Sequence, residues 1–351
     1  MNVLCVNAGS STLKLALFDG ERRVASVQVQ GNGRQELDGA IAQLVATPPE
    51  AIGHRLVHGG PERHLPSRID PALLTALRRI VPFAPLHLPP ALEAIEAMAA
   101  RYPGVPQVAC FDTHFHWNLP ERARRLPLPE ALHDAGIRKY GFHGLSYEFI
   151  VSQMGARLGA RAVIAHLGNG ASLAAVEGGR CVDTTMAFTP ASGVVMGTRP
   201  GDLDPGLLVH LMASRGVDEL RRMIDHESGL TGISGGTSDM KRLLELRGND
   251  ARSALAVEIF VISVRKAIGA LAAVMGGVDS LVFTGGIGEN AADVRAEIAG
   301  GLSHLGVQID QEANFAGKER FSTTESECGA YVVRTDEDRM IARHTREVLG
   351  G

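Results

Sequence analysis

Residues 3–18, VLCVNAGSSTLKLALF, and residues 162–176, AVIAHLGNGASLAAV, decide the architecture. Each opens with a short apolar run, crosses a glycine-rich turn and enters a second apolar run, which is the pattern of two strands joined tightly. After the first pair, Asp19-Gly20 marks a hairpin and residues 23–30, RVASVQVQ, alternate apolar and polar as a half-buried third strand does. After the second pair, Gly178-Gly179 is again a turn, and residues 180–184 supply a third strand. The same opening recurring roughly 160 residues later predicts an internally duplicated chain.

Outward from these two openings, strands and helices alternate. Residues 36–45 read as a short amphipathic helix ended by Pro48-Pro49. Residues 251–275 form a long helix with Gly269 inside it. Residues 280–283 are a short buried strand, followed by the glycine-rich turn Thr284-Gly285-Gly286-Ile287-Gly288. A helix is expected over 290–305 with Asn290 as its N-cap, then a strand over 330–334, an acidic turn at 336–338 and an amphipathic helix over 339–349. Alternation of this kind is α/β architecture.

Composition narrows the function. The chain has 351 residues, 45% hydrophobic and 21% charged, with a formal net charge of −4. Length favours two domains, and composition excludes a disordered, collagenous or coiled-coil chain. No basic excess points to nucleic acid or a membrane surface. Cys5, Cys110, Cys181 and Cys328 stand alone, so neither a zinc ribbon nor a thioredoxin motif is available, and a reducing cytoplasm is expected. The N-terminus lacks a signal-peptide pattern, and no apolar run is long enough to span a membrane.

Three glycine-rich turns each follow an apolar strand: Gly9-Ser10-Ser11, Gly168-Asn169-Gly170 and Gly285-Gly286. Glycine lets backbone N–H groups approach an anion, so three such turns suggest a phosphate-bearing ligand. No Walker A loop and no dinucleotide fingerprint occurs. Arg55 and Arg199 stand beside glycines and suit an anion. His87 by itself reads as a core residue. His114 and His116 alternate along what reads as one strand face, but no third metal ligand can be identified. Asp202 and Asp204 read as turn or capping residues, and Asp239 as the cap of a helix starting at Met240.

Taken together, the runs VNAGSSTLKL, HRLVHGG, APLHLPPAL, FDTHFH, YGFHG, HLGNGAS, TTMAFTP, MGTRPGDLDP, SGLTGISG, SDMKRL, FTGGIGEN and TDEDRMIARHT resemble the acetate kinase family, within the acetate and sugar kinase/Hsp70/actin superfamily. The resemblance covers nearly the whole chain in the family's order. It implies two duplicated actin-like (ribonuclease H-like) domains around a central cleft, residues 1–113 plus 339–351 and residues 114–338. It implies reversible phosphoryl transfer between ATP and acetate, giving ADP and acetyl phosphate, with Mg²⁺ or Mn²⁺ and usually a homodimer. Asn7 and Glu337 resemble the metal-site residues, Lys14 a nucleotide-phosphate contact, Arg55 the substrate-binding arginine and Asp112 the catalytic acidic residue, better cast as positioning substrate, cation or arginine than as a general base. His143 and Arg199 resemble the transition-state stabilisers. Val57, Leu86, His87, Phe142 and Pro190 fall at acyl-pocket positions. His166, Leu167, Gly168, Asn169 and Gly170, then Asp239, Met240 and Lys241, then Gly286, Ile287, Gly288, Glu289 and Asn290 match the nucleotide-binding runs.

The chain departs from the family pattern as well. It is short between Phe18 and His54; Leu88, Leu145, Tyr147 and Ala191-Ser192 stand where the family carries other residues; and Lys241 replaces an arginine, which costs a planar fork on the adenine side. The resemblance implies that an intact Val57, where propionate-preferring relatives carry a smaller residue, leaves little room for another methylene. Since a methylene is worth only about 1–3 kcal/mol, propionate is expected to be a poorer substrate rather than an excluded one. The alternatives are the same chemistry on propionate or butyrate, and a non-catalytic ATP-dependent conformational protein of the actin or Hsp70 type.

Overall fold

The computed structural model describes residues 1–8, 12–31, 33–45 and 47–350. The turn Gly9-Ser10-Ser11, expected to approach phosphate, lies outside the described residues. The first sheet is built from β1 (Asn2–Ala8), β2 (Thr12–Asp19), β3 (Arg22–Gln30), β4 (Ala51–Leu56), β5 (Ser67–Arg68) and β6 (Gln107–Phe111). The second contains β7 (Arg161–Leu167), β8 (Ala171–Glu177), β9 (Arg180–Thr184), β10 (Ser280–Thr284) and β11 (Gly329–Val332).

The two sheets share one plan. The first runs β3-β2-β1-β4-β6, with β5 added at its edge; the second runs β9-β8-β7-β10-β11. In each, the first three strands are antiparallel and the next two join parallel to the first. The duplication expected from the two opening motifs is therefore present in strand order and in pairing sense.

Period-two alternation distributes the core. On β1, Leu4 and Val6 pack with Leu37, Ile41 and Met98, on one face of the first sheet. Val3 and Cys5 pack on the opposite face with Cys110, Leu145, Ile150 and Ile341. That same cluster takes in Ala162, Ile164, Ala174 and Val282 from the second sheet. Its helices, Gly144–Met154 and Glu337–Leu349, therefore lie in a core layer shared by both sheets. The outer face of the second sheet packs Val163, Ala165 and Phe283 against Ala256, Phe260 and Val264 of the Ala251–Met275 helix. All four cysteines are buried and unpaired, and among the described residues no helix is long and apolar enough to cross a membrane.

Gly53 sets how closely the Glu337–Leu349 helix approaches β4. A β-carbon there would sit 2.3 Å from Thr345 Oγ1 and 2.6 Å from Ile341 Cγ2. Gly53→Ala is expected to destabilise the protein by about 1–3 kcal/mol, the usual cost of overpacking. Chemical denaturation tests this, and an unchanged midpoint would show that the helix yields freely.

Three local expectations are corrected. His114–His116 is a single 3₁₀ turn rather than a strand. The chain leaves the sheet at Phe111 because the Asp112 carbonyl accepts from Gly144 N–H, outside the sheet. Asn290 does not cap a helix over 290–305. Gly285–Asn290 is itself helical, and a second helix runs over Ala292–Gly300. The acidic run is no free turn either: Asp336 caps the last helix by accepting from Arg339 N–H, and Glu337 and Asp338 form its first turn.

Candidate active site

Open α/β sheets bind ligands beyond the carboxyl ends of their parallel strands. Here Asn7 lies near the end of β1, Arg55 near the end of β4, and Asp112 directly after β6. From the second sheet, β7 leads into Gly168-Asn169-Gly170 and β10 into Gly285-Gly286. Asn7, Arg55 and the two glycine turns line a cavity of about 590 Å³, together with Lys14, His143, His166, Glu289, Glu337 and Asp338, while Asp112 is buried behind Arg55. Lys14 pairs with Asn7 across β1 and β2, which puts both side chains on one face of the hairpin.

Arg55 ties the first-sheet residues together. Its guanidinium donates to Asp112 Oδ2 through Nε at 3.0 Å and through Nη2, and to Asn7 Oδ1 through Nη1 at 3.3 Å. Asn7 in turn donates to Glu337 Oε2 at 3.3 Å, and Arg55 Nε lies 4.0 Å from that same oxygen. Asp112 is fully buried, and its Oδ1 has no partner among the described residues. Burial raises the Asp112 carboxyl against the pull of Arg55. Burial also opposes ionisation of Glu337, but Arg55, His166 and Lys14 outweigh it and hold that carboxyl low. The result is an anionic Glu337 oxygen that accepts from the Asn7 amide nitrogen, with the Asn7 oxygen on Arg55 and the unsatisfied Asp112 Oδ1 nearby; release of Asn7 from Arg55 would free its oxygen for a cation. An all-oxygen donor set carrying one or two carboxylates suits a hard divalent cation that keeps waters and phosphate oxygens as its other ligands.

His143 is the one non-glycine residue with positive φ (59°) among the described residues. Such a backbone costs of order 1–3 kcal/mol and persists where the surroundings enforce it. Its Nδ1 meets Ser172 Oγ at 2.9 Å, and that hydroxyl is 2.5 Å from Tyr147 OH. The ring stacks on His166 with centroids 4.3 Å apart. Burial, His166 and the two arginines hold its pKa well below the ordinary value, so it is a neutral donor.

A methyl group on Gly170 would sit 2.7 Å from Arg199 Nη2 and 3.4 Å from His143 Nε2. Both side chains therefore converge on the same spot beside Gly170. Gly170→Ala fills that spot, and the expected result is a loss of about 100-fold in kcat from misplaced donors. Thermal stability close to wild type, measured on the same sample, separates this from misfolding.

An adjoining cavity of about 570 Å³ is lined by Leu86, His87, Pro190 and Arg199, and Asn169 lines both cavities. His87 is thus at a cavity wall, with its pKa lowered to about 4 by burial and by Arg55 and Arg199. Val57 and Phe142 are buried in the core of the second sheet and line neither cavity.

The nucleotide runs divide in the same way. His166, Gly168, Asn169, Gly170, Gly286 and Glu289 line the first cavity. Leu167, Met240 and Gly288 are buried, and Ile287 packs against the core. Asp239 caps its helix, accepting from the N–H of the exposed Lys241 at 3.1 Å. Asn290 donates to Gly286 O at 2.8 Å. Glu289 also braces the site, because Oε1 accepts from Gly285 and Thr335 N–H at 3.0 and 3.1 Å. Sequence reasoning missed the Ser172–Tyr147 brace and Arg23, which pairs with Asp336 and lies 3.6 Å from Asp338. The alternation of β3 was the available signal for Arg23; nothing local pointed to Ser172.

The model of the acetokinase family matches residues 36–343. The chain belongs to the acetokinase family. An acetate kinase of Rhodopseudomonas palustris (strain ATCC BAA-98 / CGA009) is 39% identical over 394 aligned positions, covering 99% of this chain and 98% of that one. An acetate kinase of Pseudarthrobacter chlorophenolicus is 41% identical, covering 100% and 99%. Among solved structures, acetate kinase of Porphyromonas gingivalis superposes with a TM-score of 0.88 at 33% identity over 99% of both chains. A propionate kinase from Francisella tularensis does so with 0.89 at 32%, also over 99% of both. Solved kinases named for acetate and for propionate thus share this fold.

Proposed function

We propose that the protein is an acetate kinase that transfers the γ-phosphoryl group of ATP reversibly to acetate, giving ADP and acetyl phosphate. The observation that carries this reading is the convergence of Arg199 and His143 beside Gly170, between the two cavities. Acetate is already ionised near neutral pH, so the reaction needs little proton chemistry. It needs two anions brought together and the equatorial oxygens of the moving phosphoryl group held. Buried donors serve that purpose best where water is excluded.

On this reading the carboxylate oxygen of acetate attacks the γ-phosphorus in line as the bond to the β-γ bridging oxygen breaks. Arg199 and His143 donate to the phosphoryl oxygens. Arg55, anchored by Asp112, orients the acceptor carboxylate. Asp112 positions Arg55 and removes no proton. The nucleotide phosphates lie along Gly168–Gly170, Gly286 and Lys14, and the acyl group faces Leu86, His87 and Pro190. Asn7 and Glu337 would hold the divalent cation, Mg²⁺, which offsets phosphate charge when bound. The working units are residues 1–113 with 339–351 and residues 114–338, and the protein acts as a homodimer in the cytoplasm.

The test is hydroxamate formation from MgATP, hydroxylamine and acetate, propionate, butyrate or no acid. Acetate-dependent product, weaker with propionate, is expected. Faster turnover of a longer acid would move the acceptor assignment, and no product with any acid would remove the kinase reading.

A further inference from the structure

A second group of chemically capable side chains lies outside the cleft. His114 stands on the one-turn helix after β6, Glu148 on the Gly144–Met154 helix and His344 on the Glu337–Leu349 helix. Each brings one ligand atom within 4.8 Å of the other two. His344 is buried, with Nε2 2.9 Å from Glu148 Oε1. The rings of His114 and His344 meet edge to face with centroids 5.5 Å apart.

Two further observations give this meeting a purpose. The second oxygen of Glu148, Oε2, is buried with no hydrogen-bond partner among the described residues. On His114, Nδ1 lies 2.8 Å from the carbonyl oxygen of His64. A carbonyl only accepts, so the proton sits on Nδ1 and Nε2 keeps a free lone pair. An imidazole whose far nitrogen donates to a backbone carbonyl is held in the tautomer and orientation of a metal ligand.

We propose that His114, Glu148 and His344 form a site for a divalent transition-metal ion such as Zn²⁺ or Co²⁺. Two imidazoles and a carboxylate are a three-ligand set that leaves a fourth position for water. Ligands about 2.0–2.2 Å from a tetrahedral ion lie about 3.3–3.6 Å from one another. The 2.9 Å pair opens slightly to reach that spacing, and side-chain rotation closes the wider gaps. The Nε2 proton of His344 leaves to solvent as the nitrogen takes the cation, so one proton is released there per ion bound. Imidazole nitrogens disfavour Mg²⁺, which sets this site apart from the oxygen donors of the cleft.

The position gives the ion a consequence. Asp112 is two residues ahead of His114. His143 is the N-cap of the helix that carries Glu148, and Glu337 begins the helix that carries His344. One ion thus clamps three elements whose adjacent ends carry cleft residues. It is a structural brace behind the cleft and touches no reacting atom.

The test uses the full-length protein stripped with chelator and held in excess Mg²⁺ without nucleotide. Titration with Co²⁺ is expected to show one saturable equivalent, the visible absorption of nitrogen-ligated Co²⁺, and a rise in Tm. His114→Ala removes a half-buried ligand, and Glu148→Gln keeps the shape but not the charge. Each is expected to weaken Co²⁺ binding by more than the about 10–100-fold that loss of an outer partner costs, and to abolish the rise in Tm. Absence of saturable Co²⁺ binding to the wild type would overturn the proposal. So would unchanged binding in His114→Ala, which would place the ion elsewhere, the cleft included.

Discussion

Arg199→Ala is expected to lower kcat for acyl phosphate formation by about 10²–10³-fold, the usual cost of deleting one preorganised donor to transition-state charge. The reason lies in what Arg199 lacks. It is deeply placed, and burial lowers its pKa, with Asp225 opposing and Arg55 reinforcing the effect. Among the described residues no carboxylate lies within ion-pair distance of it, and its recorded partner is the carbonyl of Pro190. A half-buried cation without a counter-ion carries a desolvation cost that an arriving anion relieves. A phosphoryl group in flight is such an anion, so the interaction is strongest in the transition state and appears in kcat rather than in the KM for ATP. Arg199→Lys keeps the charge but loses the fork and should recover only part of the rate. Steady-state kinetics on both variants decides the matter: a kcat for Arg199→Ala within threefold of wild type would remove Arg199 from the chemistry.

Arg55 differs in kind. It already has Asp112 as a two-point counter-ion and Asn7 as a third partner. Its charge is largely spent inside the protein, which suits a residue that orients a carboxylate. The contrast between a satisfied and an unsatisfied arginine separates binding from catalysis more clearly than either motif does alone.

The fold was largely legible because its deciding signals are local. A strand, a glycine turn and another strand can be read from a few consecutive residues, and the repeated opening did foreshadow two sheets of matching order. Asp239 likewise showed its capping role through the helix that follows it. What escaped depends on distant partners. His114 and His116 were legible as possible ligands, yet Glu148 and His344 reach His114 only because two helices share the layer between the sheets. His116 meanwhile turns away to the carbonyl of Phe142. Gly285–Asn290 was misread as a turn because Glu289 stabilises its helical start through the N–H groups of Gly285 and of the remote Thr335.

Stability is expected to fall steeply as pH drops from about 6.5 to about 4. Burial lowers the pKa of His54, His58, His87 and His116 to about 4 each. In the native state burial keeps these rings neutral: His58 Nδ1 accepts from Gly60 N–H at 2.7 Å, and for His54 burial outweighs the opposing bond to Gln107 Oε1 at 2.6 Å. The unfolded chain protonates them near the ordinary value of about 6.5. Between those two pH values the unfolded state therefore binds more protons, and acid favours unfolding. Asp338 works the other way, because burial and Glu337 raise it to about 6 and it takes up a proton first in the native state. Among these five groups, four histidines less one carboxyl leave about three protons, or about 4 kcal/mol per pH unit; lowered His114, His143 and His166 add to that slope, and raised Asp112 and Asp225 oppose it. Set against a total of about 5–15 kcal/mol, that is enough to unfold the protein within a few pH units. Urea denaturation at pH 7, 6 and 5 reads the slope directly. His58→Phe, placed among Phe83, Tyr140 and Phe142, should flatten that slope by about one proton even though it forfeits the bond from Gly60. Equal stability at pH 7 and pH 5 would mean that these rings are charged in the folded protein and that the interior around them is wetter than their burial implies.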